Sequence, residues 1–351
     1  MATIEKRGPY QFRAKVRVTG TPTLTETFTT RAEAERWAEK TEEQIRAKTF
    51  VDVSAMKGKT LFDILTLSET DFCPTKKGEK QELNFIGRLK GHPLSRRLLL
   101  DITPSDIRKY RDERLKTVGP GTVIRELGMI SSFFNYAISE CDTYKHLKNP
   151  VSGVRRPRAP KHRTRRFLCD LKEADYEYIK ILEVTQSETF RRFLKVAVNS
   201  AMRRGELVGL QIENVLLDRQ KVILPDTKNG TARIVALSEA VTDVLREQIG
   251  DRKSGSVFGV KADSMTQAFG RARERAREAY RQECLRDGVQ PEHGMFDDLR
   301  LHDARHEGTS RLFEVHKLSI AEAASITGHT DPRQLMGYTN LADDYLVKKL
   351  G

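Results

Sequence analysis

The chain has little that would tie it to a membrane, a structural metal or an oxidising compartment. No run of about 18 apolar residues occurs in it, so no transmembrane helix is expected. The first residues, Met1 to Arg7, lack the apolar stretch of a secretion signal. Cysteine is scarce. Cys73, Cys141, Cys169 and Cys284 are scattered with no Cys-x-x-Cys pair, which speaks against a zinc ribbon or a disulfide framework and fits a soluble protein in a reducing cytoplasm. No Gly-x-x-x-x-Gly-Lys-Ser/Thr phosphate loop is present. Acidic residues fall short of basic ones, 49 against 62, for a formal net charge of +13 over 351 residues. A polyanion is therefore the expected partner, and nucleic acid the first candidate.

Hydrophobic residues at 38% suffice for packed cores, and the length suggests about two or three domains. Tyr10, Phe12, Ala14, Val16 and Val18 alternate with Gln11, Arg13, Lys15 and Arg17. That is the period of a half-buried strand with a basic outer face. Gly20 to Pro22 should turn the chain into a second strand, Leu24 to Thr29. Thr30-Arg31-Ala32-Glu33 then forms a capping box ahead of Ala34, Trp37, Ala38, Thr41 and Ile45 at helical spacing. Residues 1–50 thus read as a small sheet covered by one helix. A solvated edge strand is the plain alternative for its basic face; a β-ribbon for the DNA major groove is the functional one. Residues 50 to 59 carry no period and read as a linker.

Residues 58–153 read as an all-helical domain. Thr60 and Asp63 cap one helix, and Thr103-Pro104-Ser105-Asp106 opens another with proline at its first position. Val123, Leu127, Ile130, Phe134 and Ala137 line a third, from Thr122 to Glu140, that Asn149-Pro150 brings to an end. Residues 154–166 form a basic linker without an acidic residue. Arg155, Arg156, Arg158, Lys161 and Arg163 are expected on DNA phosphates, contacts that carry little sequence information, although basic proline-containing linkers are often merely solvated. Residues 167–351 read as a mainly helical domain with a small β-hairpin. Phe190, Phe193, Leu194, Ala197, Val198 and Ala201 make a helix face that should carry Arg203 to its end. Val222 to Pro225 and Arg233 to Leu237 are strands joined at Asn229-Gly230. Ser238-Glu239 caps a helix, residues 262 to 287 form a long one, and Leu318 to Ile326 another. A short helix after Pro332 should present Tyr338, and the tail from Leu341 to Gly351 is helix-prone and detachable.

The chemistry concentrates towards the C-terminal end. His302 and Arg305 stand three apart, which on a helix lets an imidazole and a guanidinium reach one anion. Gly328-His329 and Tyr338 follow. Such a set suits phosphoryl transfer, since a tyrosine attacks phosphorus if its proton is taken and cations absorb the charge on the non-bridging oxygens. A second cationic clamp stands upstream at Arg203-Arg204-Gly205-Glu206-Leu207, and a candidate proton donor at Lys228. Each residue alone has a blander reading: a surface arginine, a solvated turn lysine, a helix-terminus histidine, a core tyrosine. His302 and His306, four apart, also admit a zinc-helix reading, which the Asp303 standing where glutamate belongs weakens.

Arg203-x-x-Glu206-Leu207, Lys228, His302-x-x-Arg305, Gly328-His329 and Tyr338, in that order across roughly the last 150 residues, resemble the tyrosine recombinases, the phage integrase family. Ser200-Ala201-Met202 departs from the Thr-Gly that often precedes the first arginine, which limits the backbone but leaves the ligand atoms intact. The resemblance implies an arm-type DNA-binding domain, a helical core-binding domain and a catalytic domain. It implies Tyr338 as nucleophile through a 3′-phosphotyrosine, Arg203 and Arg305 as phosphate clamp, and His302 as base or phosphate contact. His329 would be a second phosphate contact, Lys228 the acid for the leaving 5′-hydroxyl, and Glu206 a supporting residue. No cofactor, metal or ATP is implied, since each phosphodiester is exchanged at nearly equal energy. The implied partners are double-stranded DNA with specific recombination sites, three further copies of the chain in a tetramer, and DNA-bending and directionality proteins. The setting would be a mobile element at the bacterial nucleoid. A type IB topoisomerase and a non-catalytic DNA-binding regulator are the alternatives.

Overall fold

A computed structural model describes residues 2–19, 23–47, 53–160, 163, 165–168, 176–225 and 232–338. The turn at Gly20 to Pro22, Lys161, Lys228 with the Asn229-Gly230 turn, and the Leu341 to Gly351 tail lie outside the described residues. The chain forms two compact units, Met1–Lys161 and His162–Gly351.

The first unit holds two separate cores. The smaller lies beneath a three-stranded antiparallel sheet of β1 (Ala2–Gly8), β2 (Gln11–Val16) and β3 (Leu24–Phe28), in that order, covered by α1 (Arg31–Arg46). Ala14 and Val16 point inward against Ala34 and Ala38, as the alternation requires. The Thr30–Glu33 capping box forms, its backbone arm being 3.1 Å from Thr30 N to Glu33 Oε2. β1 is an addition to the sequence reading. Its side chains are mostly exposed, so no apolar period marks it. It makes β2 the central strand, which removes the edge-strand alternative: Arg13 pairs across to Glu5 and Thr27, Lys15 to Thr3 and Thr25. Tyr10, expected on the inner face, sits in the β1–β2 turn and is exposed.

The larger core belongs to α2 (Leu61–Leu67), α3 (Glu79–Lys90), α4 (Pro104–Leu115) and α5 (Pro120–Glu140). Thr60 N and Oγ1 both donate to Asp63 Oδ2, at 2.7 and 2.8 Å. Val123, Leu127, Ile130, Phe134 and Ala137 of α5 are fully buried, each larger side chain contributing about 1.5–3 kcal/mol. Met56, read within a linker, closes a short 3₁₀ turn and is buried in this same core. A buried polar cluster ties α4 to α5: Glu126 accepts from Tyr110 at 2.9 Å and from Arg114 at 2.9 and 2.8 Å.

The second unit is mainly helical. α6 (Tyr176–Glu183), α7 (Glu188–Ser200), α8 (Arg204–Val208), α9 (Glu239–Ile249), α10 (Ala262–Arg286), α11 (Asp303–Glu314), α12 (Ile320–Thr327) and α13 (Arg333–Met336) surround an antiparallel sheet of β4 (Val215–Leu216), β5 (Lys221–Leu224) and β6 (Arg233–Ala236). β4 and α6 were not read from the sequence. α11 lies against α7 because Gly308 has no side chain: a Cβ there would stand 2.6 Å from the Val198 carbonyl oxygen. Among the described residues no helix is long and apolar enough to cross a membrane.

Candidate active site

The site begins at a corner. Ala201 ends α7 with φ 53° and ψ 17°, a left-handed conformation that costs a residue bearing a Cβ roughly 1–2 kcal/mol. The turn makes Arg203 the N-cap of α8, its backbone N–H donating to Glu206 Oε2 at 2.7 Å. The expectation that α7 would carry Arg203 to its end is thereby corrected, because the corner at Ala201 closes α7 first.

Arg203 Nη1 donates to Glu206 Oε1 at 2.8 Å and Nη2 to the Gly328 carbonyl at 3.0 Å. Arg233, opening β6, holds the same carboxylate at 2.8 and 2.7 Å and reaches the Ile326 carbonyl through Nε at 3.0 Å. Arg305, in the first turn of α11, donates to the carbonyls of Ala201 at 2.6 Å and Thr327 at 2.8 Å, with its Nη2 3.4 Å from His329 Nε2. Among the described residues, Arg203 and Arg233 therefore share the Glu206 carboxylate, while Arg305 is hydrogen-bonded only to neutral partners and feels Glu206 as a nearby charge. Gly328 is required at its corner: φ is +68°, and a Cβ would meet the Arg233 guanidinium at 2.8 Å.

The electrostatics follow from that imbalance. Burial works to raise Glu206, but the hydrogen bonds from Arg233 and Arg203 prevail and hold its pKa at about 2. Burial and the Arg203 charge hold Arg305 down to about 10. His329 is lowered to about 4, first by burial and then by Arg305. His302 is exposed, yet enclosure by protein atoms and the Arg305 charge hold it below the usual imidazole value. Both imidazoles are thus mainly neutral at pH 7, the form that can accept a proton or a hydrogen bond. His302 lies at the N-terminal boundary of α11 and lines a cleft of about 610 Å³ with Arg203, Arg204, Glu206, Gln211 and Asn214.

Tyr338 follows α13, its ring received by a small core of Ala201, Leu312, Phe313, Ala323 and Leu335. Its hydroxyl is hydrogen-bonded to Nδ1 of His306, and the rings stack with centroids 5.6 Å apart at 22°. Burial raises the phenol pKa, with Arg305 opposing. Six residues singled out in the sequence, Arg203, Glu206, His302, Arg305, His329 and Tyr338, thus gather from α8, α11 and the turns after α12 and α13. Arg233 and His306 were missed in this role. His306 had a signal, its place one helical turn after His302; Arg233 had none, since a strand residue's partner 27 positions away is not written locally. Among the described residues no group of three or more His, Cys, Asp or Glu is placed to hold a metal ion.

The basic segment divides. Arg155, Arg156 and Arg158 are exposed in the first unit. Arg163, expected on a phosphate, instead grips buried Asp303 through Nε and Nη2, both at 2.7 Å, and Asp298 at 2.6 Å. Arg165 holds Glu177 at 2.9 and 2.7 Å. Arg166 holds Glu307 at 3.0 and 2.9 Å and Glu314 at 2.6 Å. A run without acids in sequence finds its carboxylates in space.

The phage integrase family model matches residues 171–344. A shufflon-specific DNA recombinase of Escherichia coli is 33% identical over 283 residues, covering 78% of this chain and 67% of that one. Among solved structures, the Tn1549 transposon integrase in complex with transposon right end DNA superposes with a TM-score of 0.62 at 14% identity, over 83% of this chain and 98% of that one. A lambda integrase tetramer bound to a Holliday junction gives 0.59 at 17%, over 94% and 96%. Fold and relatives together define a site-specific DNA recombinase. The chain belongs to the phage integrase family.

Proposed function

We propose that the chain exchanges DNA strands by two transesterifications through a 3′-phosphotyrosine at Tyr338, for integration, excision or inversion of a mobile element. The observation that carries this reading is the surplus of positive charge near Tyr338: Arg203 and Arg233 share Glu206, while among the described residues Arg305 is bonded only to neutral partners and acts on the Tyr338 phenol, and an in-line phosphodiester would bring the missing negative charge. Arg203 and Arg305 hold the non-bridging oxygens as charge builds on them. His329 and His302 serve as phosphate contacts or base, Glu206 fixes Arg203, and Lys228 protonates the leaving 5′ oxygen. Trading one phosphoester for another needs neither ATP nor metal. Residues 1–50 take a separate arm site through Arg13, Lys15 and Arg17, residues 58–153 bind the core site, and Arg155, Arg156, Arg158 and Lys161, in the linker that leads to residues 167–351, follow the DNA backbone. A tetramer on paired sites fits the reaction, as a lambda integrase tetramer bound to a Holliday junction illustrates.

The test is adduct formation on a nicked suicide duplex carrying the recombination site. The chain should become covalently joined to the 3′ end, and Tyr338→Phe should bind the duplex equally well and form no adduct. An adduct that persists in Tyr338→Phe, mapped to another residue, overturns the assignment. Relaxation of supercoils without a specific site would favour the topoisomerase reading, and binding without any adduct the regulator.

A further inference from the structure

We propose that His306 takes the Tyr338 proton during cleavage and returns it during rejoining, leaving His302 to the phosphate; this rests on Tyr338 as the nucleophile. The geometry separates the two imidazoles. His306 is buried on α11, with Nδ1 on the Tyr338 hydroxyl and its ring stacked on the phenol. His302 opens onto the cleft lined by Arg203 and Arg204, with its ring edge-on to His306 at 5.0 Å. A base must lie within hydrogen-bond reach of the proton it removes, and His306 holds that place at the reacting atom. The stacked ring also sets the direction of the phenol oxygen towards its acceptor.

In cleavage, Oη passes its proton to Nδ1, which requires the Nε2–H tautomer beforehand and gives an imidazolium. The freed lone pair forms the O–P bond while the P–O5′ bond breaks. Its electron pair leaves on O5′, which is protonated by the general acid. Rejoining runs the same transfers backwards: the 5′ oxygen attacks phosphorus, the phenol oxygen leaves, and Nδ1 gives its proton back. The titratable groups that interact with His306 are His302 at the start of α11, His329 after α12 and Tyr338 itself, while Arg305 and Asp303 of α11 act on the Tyr338 phenol.

The test is single-turnover adduct formation with the full chain on a saturating suicide duplex. His306→Asn keeps a polar atom near the Nδ1 position but takes up no proton. It should bind DNA normally, slow the adduct about 10²–10⁴-fold, and show a rate that climbs with pH into the phenol range. A ring-fluorinated tyrosine at position 338, largely ionised near neutrality, should restore most of the loss, because an ionised nucleophile needs no base. In the chain with His306 intact the same fluorinated tyrosine should gain little, a measurement that survives if His306→Asn fails to fold. Cleavage by His306→Asn at nearly the unsubstituted rate overturns the proposal, as does a slow variant that fluorination leaves slow, or a large fluorination gain with His306 in place. An adduct in Tyr338→Phe would instead sink the nucleophile assignment, independently of His306.

Discussion

Two clusters of arginine in the second unit differ in how their charge is met. At the segment 163–166, Arg163, Arg165 and Arg166 each face a carboxylate that is at most 2% exposed, Asp303, Glu177 and Glu307, in a two-pronged pairing. At the candidate site, Arg203, Arg233 and Arg305 have Glu206 and a set of carbonyl oxygens. Pairing with Asp303 raises the Arg163 pKa, whereas burial beside Arg203 lowers that of Arg305. Buried ions balanced in place hold structure together and are strongly destabilising to break. An excess left unbalanced waits for a ligand of opposite sign, and its cost is recovered when that ligand arrives. Arginine content alone does not tell structural from functional clusters; the count of opposing carboxylates does.

The comparison breaks first at the segment 163–166. Arg165→Ala strands Glu177 and should lower stability by about 3–5 kcal/mol, read as a fall in the urea midpoint. Arg305→Ala should instead cost the reaction about 10²–10³-fold or more in adduct formation while losing less stability than Arg165→Ala. If the Arg305 variant proved the less stable of the two, charge balance would not be what separates the clusters.

Acid should sharpen the contrast within the site. The His329 pKa lies near 4 in the fold against an ordinary 6.5, so the unfolded chain takes up the proton first: its contribution is present above pH 6.5 and is lost as pH falls towards 4. Glu206 sits near 2 against 4.5, so its stabilisation of about 3 kcal/mol is present above pH 4.5 and lost towards 2. His329→Asn should remove the upper stage of the unfolding-midpoint profile and leave the lower. A profile unchanged by that substitution would assign the upper stage to other groups.

The smallest effect separates the two halves of the basic segment. Arg155→Ala, Arg156→Ala and Arg158→Ala should each change stability by no more than about 0.5 kcal/mol and lower the salt slope of DNA binding by about 1 per lost phosphate contact. Arg163→Ala should destabilise the fold and leave that slope unchanged. The reverse pattern would put the DNA contact at Arg163.

Much of the fold could be read along the chain because the signals are local. The Thr30–Glu33 box and the Thr60–Asp63 pair depend on residues within a turn of one another, the α5 stripe on one helical period, and Arg203-x-x-Glu206 and His302-x-x-Arg305 are short motifs whose order along the chain marks the family. Strand β1 escaped because an exposed strand carries no apolar period, and Met56 because a single buried residue makes no pattern. What only the tertiary structure decided are the long-range partners. Arg163 and Asp303 are 140 residues apart, Arg233 and Glu206 are 27, and His306 meets Tyr338 across 32. A charge or an imidazole looks the same in sequence whether it faces water, a buried carboxylate or a phenol. Its free energy depends on that neighbour, and only the packing of α7, α11 and α12 chooses it.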